Sequence, residues 1–296
     1  MSDIIIIPLL PFKSREEIAR SFGKSRAKEW EEQWDHKLNF AEAGISSWKN
    51  WAIRNNILLE VAENLPTPEE CGYSGEQIEL LRTLPPPVQR WLLPLAAARK
   101  HGDGTRIAMV DADTIISPRA PSIFEQNKSD VILTQTIFEQ CKPDMILTRD
   151  RPEWNKWKAN SLAAFAPMFP DIKFDKSLYF NAGVMVLNSL ALPRTFLDFT
   201  LTRFTEFMSR IDGRVGTDQT PLNFILQRLM RDEGLSVSFL DPKWNARMDL
   251  MLTSVTPDRA RWKKLARDIV LGNHISHFIK TKGLMPSVWR SLAQMP

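Results

Sequence analysis

Hydrophobic and polar positions alternate in blocks that predict strands and helices in turn along the first part of the chain. Residues 4–10 form an apolar, β-branched run, which is typical of a strand covered on both faces of a parallel sheet. Residues 14–55 are charged with a helical spacing, and Gly23 and Gly44 are expected to divide this helix into pieces. A second strand is predicted over residues 57–62.

The same block pattern continues towards the carboxyl terminus. Residues 88–100 predict a helix, and a strand that ends near residue 110 follows it at once. The remaining predicted elements are strands over 130–134, 178–187 and 235–240, helices over 193–211 and 217–232, and a polar helix or loop over 149–164. This alternation predicts an α/β fold with a largely parallel sheet in a single domain.

The composition is that of a soluble globular protein. Of the 296 residues, 43% are apolar, which is ample for a sizeable core. Because the longest apolar run is far too short to span a bilayer and no signal peptide is recognised, a cytoplasmic location is expected. The net charge of +4 favours anionic ligands such as nucleotide phosphates. Most of the ten tryptophans are expected in the core, because large aromatic side chains dominate buried area.

Two carboxylates, Asp111 and Asp113, follow an apolar strand directly. Residues two apart in an extended segment point to the same side, so both can converge on one hard divalent cation. Ligands of α/β proteins also collect beyond the carboxyl ends of the strands, which is where this pair lies. The pattern therefore favours a cation site over a solvated acidic turn.

The predicted strand 178–187 contains a polar Asn181 and a Gly183 among apolar residues. Neither residue type is a good strand former, and a glycine lets a ligand approach the backbone closely. A β-bulge explains the same pattern equally well. The strand is expected to be interrupted at residues 181–183.

Asp218 and Gln219 stand at a predicted helix start. Capping of the helix by Thr217 or Asp218 is the plain structural explanation. Capping does not explain Gln219. The Gln219 amide can present a donor and an acceptor to a hydroxylated substrate.

Near the carboxyl end, His277, Lys280 and Lys282 lie within six residues of one another. A neutral imidazole can complete a coordination sphere begun by carboxylates, and lysines can neutralise phosphate. Since a lone histidine is usually structural, this interpretation depends on the other motifs.

These segments, in this order, resemble the glycosyltransferases of the GT-A fold, and in particular the family-eight group that contains glycogenin and bacterial lipooligosaccharide galactosyltransferases. The resemblance covers roughly residues 85–290. It rests on a strand that ends in Val-Asp-Ala-Asp, a Phe-Asn-Ala-Gly-Val segment, an Asp-Gln pair, a late His-Phe followed by lysine, an earlier arginine and a Pro-x-x-Asn segment, which are here residues 110–113, 180–184, 218–219, 277–280, Arg90 and 242–245.

The resemblance implies a Rossmann-like, mostly parallel sheet with helices on both faces, in one domain over residues 1–296. Residues 1–120 would form the nucleotide-binding half, 121–250 the acceptor and sugar half, and 251–296 a carboxyl-terminal extension. It also implies a Mn²⁺ or Mg²⁺ ion on Asp111, Asp113 and His277, and catalysis by Asp218 and Gln219 with retention of configuration. The nucleotide sugar, a UDP-hexose, would be bound by Pro8, Leu9, Arg90, Asp111, Asn181, Gly183, Lys280 and Lys282.

Two departures from the family pattern bear on the substrates. Lys280 stands where the family has a glycine and Gly283 where it has a lysine, so the phosphate-binding lysine is open between Lys280 and Lys282. The charged, Trp-rich first 80 residues look more like glycosyltransferases of phages and large-genome viruses, which would place the protein in a host cytoplasm. A glycan or lipid-linked sugar is the favoured acceptor, and a hydroxymethylated base of viral DNA is the second.

Two other classes of protein compete with this interpretation. Haloacid-dehalogenase-like phosphatases also carry Asp-x-Asp-x-Thr after a strand, with Asp111 as the nucleophile and Asp113 as the general acid. They usually carry the motif on their first strand, whereas more than 100 residues precede it here. A non-catalytic nucleic-acid-binding protein is suggested by the basic, Trp-containing residues 259–267, for which a solvated helix face is the favoured alternative.

Overall fold

The computed structural model describes residues 2–9, 34–102, 104–125, 131–135, 152–211, 218–240, 242–278 and 281–294. The strands are β1 Asp3–Pro8, β2 Leu58–Ala62, β3 Arg106–Val110, β4 Thr114–Ile116, β5 Val131–Gln135, β6 Phe180–Leu187, β7 Val237–Leu240, β8 Ala246–Arg247 and β9 Ile275–His277. The helices are α1 Trp34–Asn55, α2 Glu76–Thr83, α3 Pro86–Gln89, α4 Leu92–His101, α5 Pro152–Phe165, α6 Ala191–Thr202, α7 Phe204–Ile211, α8 Gln219–Asp232, α9 Met248–Val255, α10 Trp262–Gly272 and α11 Met285–Ala293.

Six strands form the main sheet in the order β2-β1-β3-β6-β5-β7. The pairs β1–β2, β1–β3 and β5–β7 are parallel, and β6 alone runs antiparallel to its two neighbours. The predicted α/β fold with a mostly parallel sheet is therefore confirmed. A second, three-stranded sheet in the order β4-β9-β8 joins the segment after β3 to the carboxyl-terminal part of the chain.

The isoleucines of β1 divide the core into two layers, because neighbouring residues of a strand point to opposite faces. Ile4 and Ile6 belong to a hydrophobic cluster with residues of α4, α6 and α8. Ile5 belongs to another cluster that contains Trp48 and Trp51 of α1. The main sheet thus carries helices on both faces. Within the described ranges no helix is long and apolar enough to cross a membrane.

Gly44 does not break its helix, so that prediction is wrong. Helix α1 runs through Gly44, and a Cβ atom at this position would collide with the backbone oxygens of Ala112 and Thr114. Gly44 is needed because the helix packs directly on the turn that carries the acidic pair. Gly23 lies outside the described residues.

Three further predicted elements differ from the structure. The helix predicted over 193–211 is two helices, α6 and α7, with Arg203 between them. The helix predicted over 88–100 is two helices, α3 and α4, with Arg90 and Trp91 between them. Strand β6 runs without interruption through Asn181 and Gly183, although its register with β5 shifts beside Leu133. The tryptophans agree better with expectation, since five of those described are buried, namely Trp48, Trp51, Trp91, Trp244 and Trp262.

Candidate functional site

The acidic pair is held at the carboxyl end of β3 by backbone contacts on both sides. Asp111 donates its N–H to the Gly183 oxygen on β6 at 2.8 Å. Thr114 closes a tight turn by donating its N–H to the Asp111 oxygen at 3.1 Å and its hydroxyl to the same oxygen at 2.6 Å. The Trp48 indole donates to the Thr114 hydroxyl at 2.9 Å and so ties the turn to α1. The backbone between the two carboxylates is therefore fixed by the fold itself.

The small second sheet brings His277 to the acidic pair. Strand β9 pairs antiparallel with β4, with His277 opposite Thr114, and the Phe278 N–H donates to the Asp113 oxygen at 2.8 Å. His277 Nε2 lies 3.1 Å from Asp113 Oδ1 and 3.7 Å from Asp111 Oδ2. One potential ligand atom from each of the three residues lies within 4.8 Å of the other two. These are the three residues predicted as metal ligands, and such a set of imidazole and carboxylates suits a divalent ion.

The cationic side chains compensate Asp113 more fully than Asp111. Lys282 Nζ lies 2.7 Å from Asp113 Oδ2. Burial raises the pKa of Asp113, but Lys282 and His277 outweigh burial and hold that pKa well below its usual range. Burial also raises the pKa of Asp111, and the Asp113 carboxylate adds to this rise against the opposing effect of Arg90. A divalent cation between the carboxylates would oppose the effects of burial and of Asp113 on Asp111.

Arg90 connects Asp111, one of the three potential metal ligands, to Asp218. It lies between α3 and α4, with Nη1 2.8 Å from Asp111 Oδ1 and Nη2 2.8 Å from Asp218 Oδ2. Burial lowers the pKa of Arg90, but the two carboxylates outweigh burial, so the net shift is upwards and the guanidinium stays charged. The Trp91 indole also donates to Asp218 Oδ2, at 3.1 Å.

Asp218 does not cap its helix. It precedes α8, yet in the described part of the chain its side chain makes no capping hydrogen bond. Its Oδ2 atom is instead directed across the site, towards Arg90 and Trp91. The capping alternative is therefore wrong for Asp218, and Thr217 lies outside the described residues.

Amide side chains form the other side of the site. Asn181 Nδ2 donates to Gln219 Oε1 at 3.2 Å, and the Ala182 N–H donates to the same oxygen at 3.3 Å. The Gln219 amide in turn donates to the Tyr179 hydroxyl at 3.3 Å. Asn181, Gln219 and the acidic pair thus belong to one cluster, although the sequence separates them widely.

Gly183 is required by close packing at the centre of this cluster. A Cβ atom added there would lie 2.5 Å from His277 Cε1 and 2.8 Å from both Asn181 Oδ1 and Asp111 Oδ2. All three distances are shorter than real Cβ contacts, so any side chain would displace a potential metal ligand. The register shift supports the β-bulge interpretation, and close approach of a ligand to the Gly183 backbone stays a prediction.

Three other residues were predicted to bind the nucleotide, namely Pro8, Leu9 and Lys280. Pro8 ends β1 and the Leu9 N–H donates to the Ala62 oxygen at 2.8 Å, so both lie at the end of a strand parallel to β3 and at the same sheet edge as Asp111. Lys280 lies outside the described residues.

The sequence pattern predicts no role for Asn245 beyond its place in the Pro-x-x-Asn segment. It is 2% exposed, and its side chain contacts His277 Nδ1 and Asn181 Oδ1, each at 3.0 Å. Trp91 was missed as well, and its position next to Arg90 was the available signal. Asn245 thus joins side chains from two distant segments, and Trp91 contacts Asp218 from a third.

No protein-family model and no curated protein matches the chain. Among solved structures it is similar to a glycosyltransferase involved in glycosylation of the major capsid of PBCV-1 (10% identity, TM-score 0.45, covering 100% of both chains). It is also similar to mouse xyloside xylosyltransferase 1 (13% identity, TM-score 0.43, covering 95% of this chain and 99% of that one). A third is the galactosyltransferase LgtC in complex with donor and acceptor sugar analogues (13% identity, TM-score 0.44, covering 99% and 97%).

These similar structures are glycosyltransferases. Likenesses this distant do not by themselves identify a reaction or a substrate, because one fold hosts many activities. The function of this chain therefore depends on the chemistry of its own site.

Proposed function

We propose that the protein is a metal-dependent glycosyltransferase that transfers a hexose from a nucleotide sugar, a UDP-hexose, to a hydroxyl group of a glycan or lipid-linked acceptor. The observation that carries this proposal is the convergence of Asp111, Asp113 and His277 beside the amides of Asn181 and Gln219. His277 Nε2 faces two carboxylate oxygens. Either a hydrogen atom on Nε2 or a bound metal ion must therefore lie between the nitrogen and these oxygens.

The donor set fits Mn²⁺ or Mg²⁺ because both ions accept carboxylate oxygens and keep positions open for phosphate. When bound, such an ion stabilises the negative charge that develops on a departing diphosphate. Asp111, Asp113 and His277 would hold the ion. Lys282, which lies 2.7 Å from Asp113, would supply a further positive charge for the diphosphate.

The amide side of the site would orient the sugar. Arg90 and Trp91 direct Asp218 into the cluster, so its carboxylate can accept hydrogen bonds from sugar hydroxyls. Asn181 would also contact the sugar. Gln219 would lie beside the anomeric carbon on the acceptor side, where its amide stabilises developing charge while configuration is retained.

Neither competing class of protein explains the site as well. In the phosphatase alternative Asp113 is a general acid and must carry a proton, whereas Lys282 and His277 hold the Asp113 pKa low after offsetting the effect of burial. In the nucleic-acid-binding alternative Trp262 stacks on bases, whereas its ring is buried and its indole donates to the Thr256 oxygen at 3.1 Å. The basic residues around Trp262 are exposed, as expected for a solvated helix face.

A thermal-shift panel of nucleotide sugars with and without Mn²⁺ tests the proposal. Stabilisation by one sugar nucleotide that depends on the metal, together with slow hydrolysis that stops in chelator, is the expected result. Full activity in chelator would refute the metal assignment. Release of phosphate from an aryl phosphate without any sugar nucleotide would favour the phosphatase. Once the donor is known, glycan, lipid-linked and hydroxymethylated DNA acceptors can be compared directly.

A further inference from the structure

We infer that Asn245 is a positioning residue that sets the orientation of His277 and of Asn181 through a single buried amide. The inference rests on the proposed function, because it concerns the metal and sugar sides of that site. Asn245 ends the turn Pro242–Asn245, directly before β8, and β8 pairs with β9, which carries His277. Its side chain reaches both neighbours at 3.0 Å.

The direction of these hydrogen bonds follows from one backbone amide. The Gly183 N–H can only donate, so the Asn181 atom 2.9 Å away must be the carbonyl Oδ1. Asn245 meets that same oxygen and must therefore present its NH₂ group to it. The Asn245 oxygen is left for His277 Nδ1, which must donate. The fold thus assigns a proton to Nδ1 of His277.

This assignment has a consequence on each side of Asn245. With Nδ1 engaged as a donor, Nε2 of His277 is directed at Asp111 and Asp113 as the ligand atom, which is how outer partners usually fix a metal-binding histidine. On the other side, Asn181 Oδ1 is held by two donors, so its NH₂ group points to Gln219 Oε1 at 3.2 Å. One amide therefore couples metal binding to the geometry of the sugar side.

Two substitutions separate these roles. Asn245→Asp, as a carboxylate, keeps an oxygen acceptor for the His277 N–H but has no proton for Asn181 Oδ1, so Mn²⁺ affinity should not fall while kcat does. Asn245→Leu loses both contacts at similar volume, so Mn²⁺ affinity should fall roughly 10–100-fold as well. Mn²⁺ affinity is measured by paramagnetic resonance of free Mn²⁺ without donor, and kcat by sugar-nucleotide hydrolysis at saturating Mn²⁺.

Thr200→Val is the matched control, because it removes a buried hydrogen bond to the Phe196 oxygen in α6, away from the site. It should lower the unfolding temperature without changing Mn²⁺ affinity. Circular dichroism shows whether the Asn245 variants fold. If Asn245→Leu does not fold, Asn245→Asp alone decides, and unchanged kcat in that variant overturns the coupling.

Three other results would overturn the inference. Wild-type Mn²⁺ affinity in a folded Asn245→Leu protein refutes the positioning of His277, while a metal-dependent wild type leaves the proposed function standing. Equal losses of Mn²⁺ affinity in both variants would reduce Asn245 to a general structural role. A wild-type protein that binds no Mn²⁺ overturns the proposed function and this inference together.

Discussion

Asp218 Oδ2 lies 2.8 Å from Arg90 Nη2, so the carboxylate of the first residue of the Asp-Gln pair is held from across the site and does not cap its own helix. The same guanidinium contacts Asp111 with its other terminal nitrogen. Arg90 thereby holds the Asp111 and Asp218 carboxylates at a fixed separation. The junction between α3 and α4 is a structural part of the site for this reason.

Replacing Arg90 by Met should destabilise the protein by about 3 kcal/mol, because it leaves two largely buried carboxylates without their cation. The lower end of the range for broken buried pairs applies, since the Asp111 side chain is 30% exposed. Urea denaturation measures the loss. Arg82→Met is the control, since Arg82 is 52% exposed and its pairs with Glu69 and Glu79 should contribute no more than about 1 kcal/mol. Equal losses in the two variants would contradict the role given to Arg90.

Asp113→Asn should reduce sugar-nucleotide hydrolysis to the level seen in chelator, because the amide keeps the shape of the side chain but loses the charge that attracts a cation. Activity is measured across a range of Mn²⁺ concentrations. Asp232→Asn, at an exposed ion pair with Arg231, should leave activity unchanged. Wild-type activity in the Asp113 variant would remove this residue from the metal site.

Gly183→Ala should weaken Mn²⁺ binding and cost roughly 1–3 kcal/mol of stability, because the new methyl group collides with His277 and Asp111. Gly272→Ala is the control, since nothing lies within 4 Å of a Cβ atom there and alanine is the better helix residue. Calorimetry reports both stability and metal binding. A Gly183→Ala protein with normal Mn²⁺ affinity would show that the site can expand.

Gln219→Ala should lower kcat on the order of 10²-fold, and more than it weakens donor binding, if the amide acts at the reacting centre. Steady-state kinetics separates the two effects. Gln227→Ala on the same helix is a matched control, because this amide bonds the backbone of Asp175 away from the site and should affect stability only. A larger effect on donor affinity than on kcat would make Gln219 a binding residue.

Lys282→Met should raise the KM for the nucleotide sugar on the order of tenfold or more, as expected from the loss of a charge-assisted contact to phosphate. The same substitution at Lys280 is the comparison that decides which lysine serves the diphosphate. Lys263→Met, on the exposed face of α10, should change nothing. If Lys280→Met alone raises KM, the role belongs to Lys280 and Lys282 only balances Asp113.

Much of the site was predictable because each motif is local. The apolar strand before Asp111, the Asn181 and Gly183 in an otherwise apolar strand, and the Asp218–Gln219 pair at a helix start are visible within about ten residues. The residue types in these motifs already indicate hydrogen-bond acceptors, hydrogen-bond donors and a position of close packing. The alternation of strands and helices likewise predicts a mostly parallel sheet, and β6 is the one described strand of the main sheet that runs antiparallel to its neighbours.

The sequence by itself determined which residue types could bind a cation and a hydroxylated ligand. The two-residue period of a strand and the chemistry of its side chains can both be read from neighbouring positions. Only the tertiary structure decided that Gly44 packs on the acidic turn, that Asp218 binds Arg90, and that Asn245 joins His277 to Asn181. These relationships depend on contacts between segments far apart in the chain. The direction of each hydrogen bond there is set by its buried partners, which local patterns do not encode.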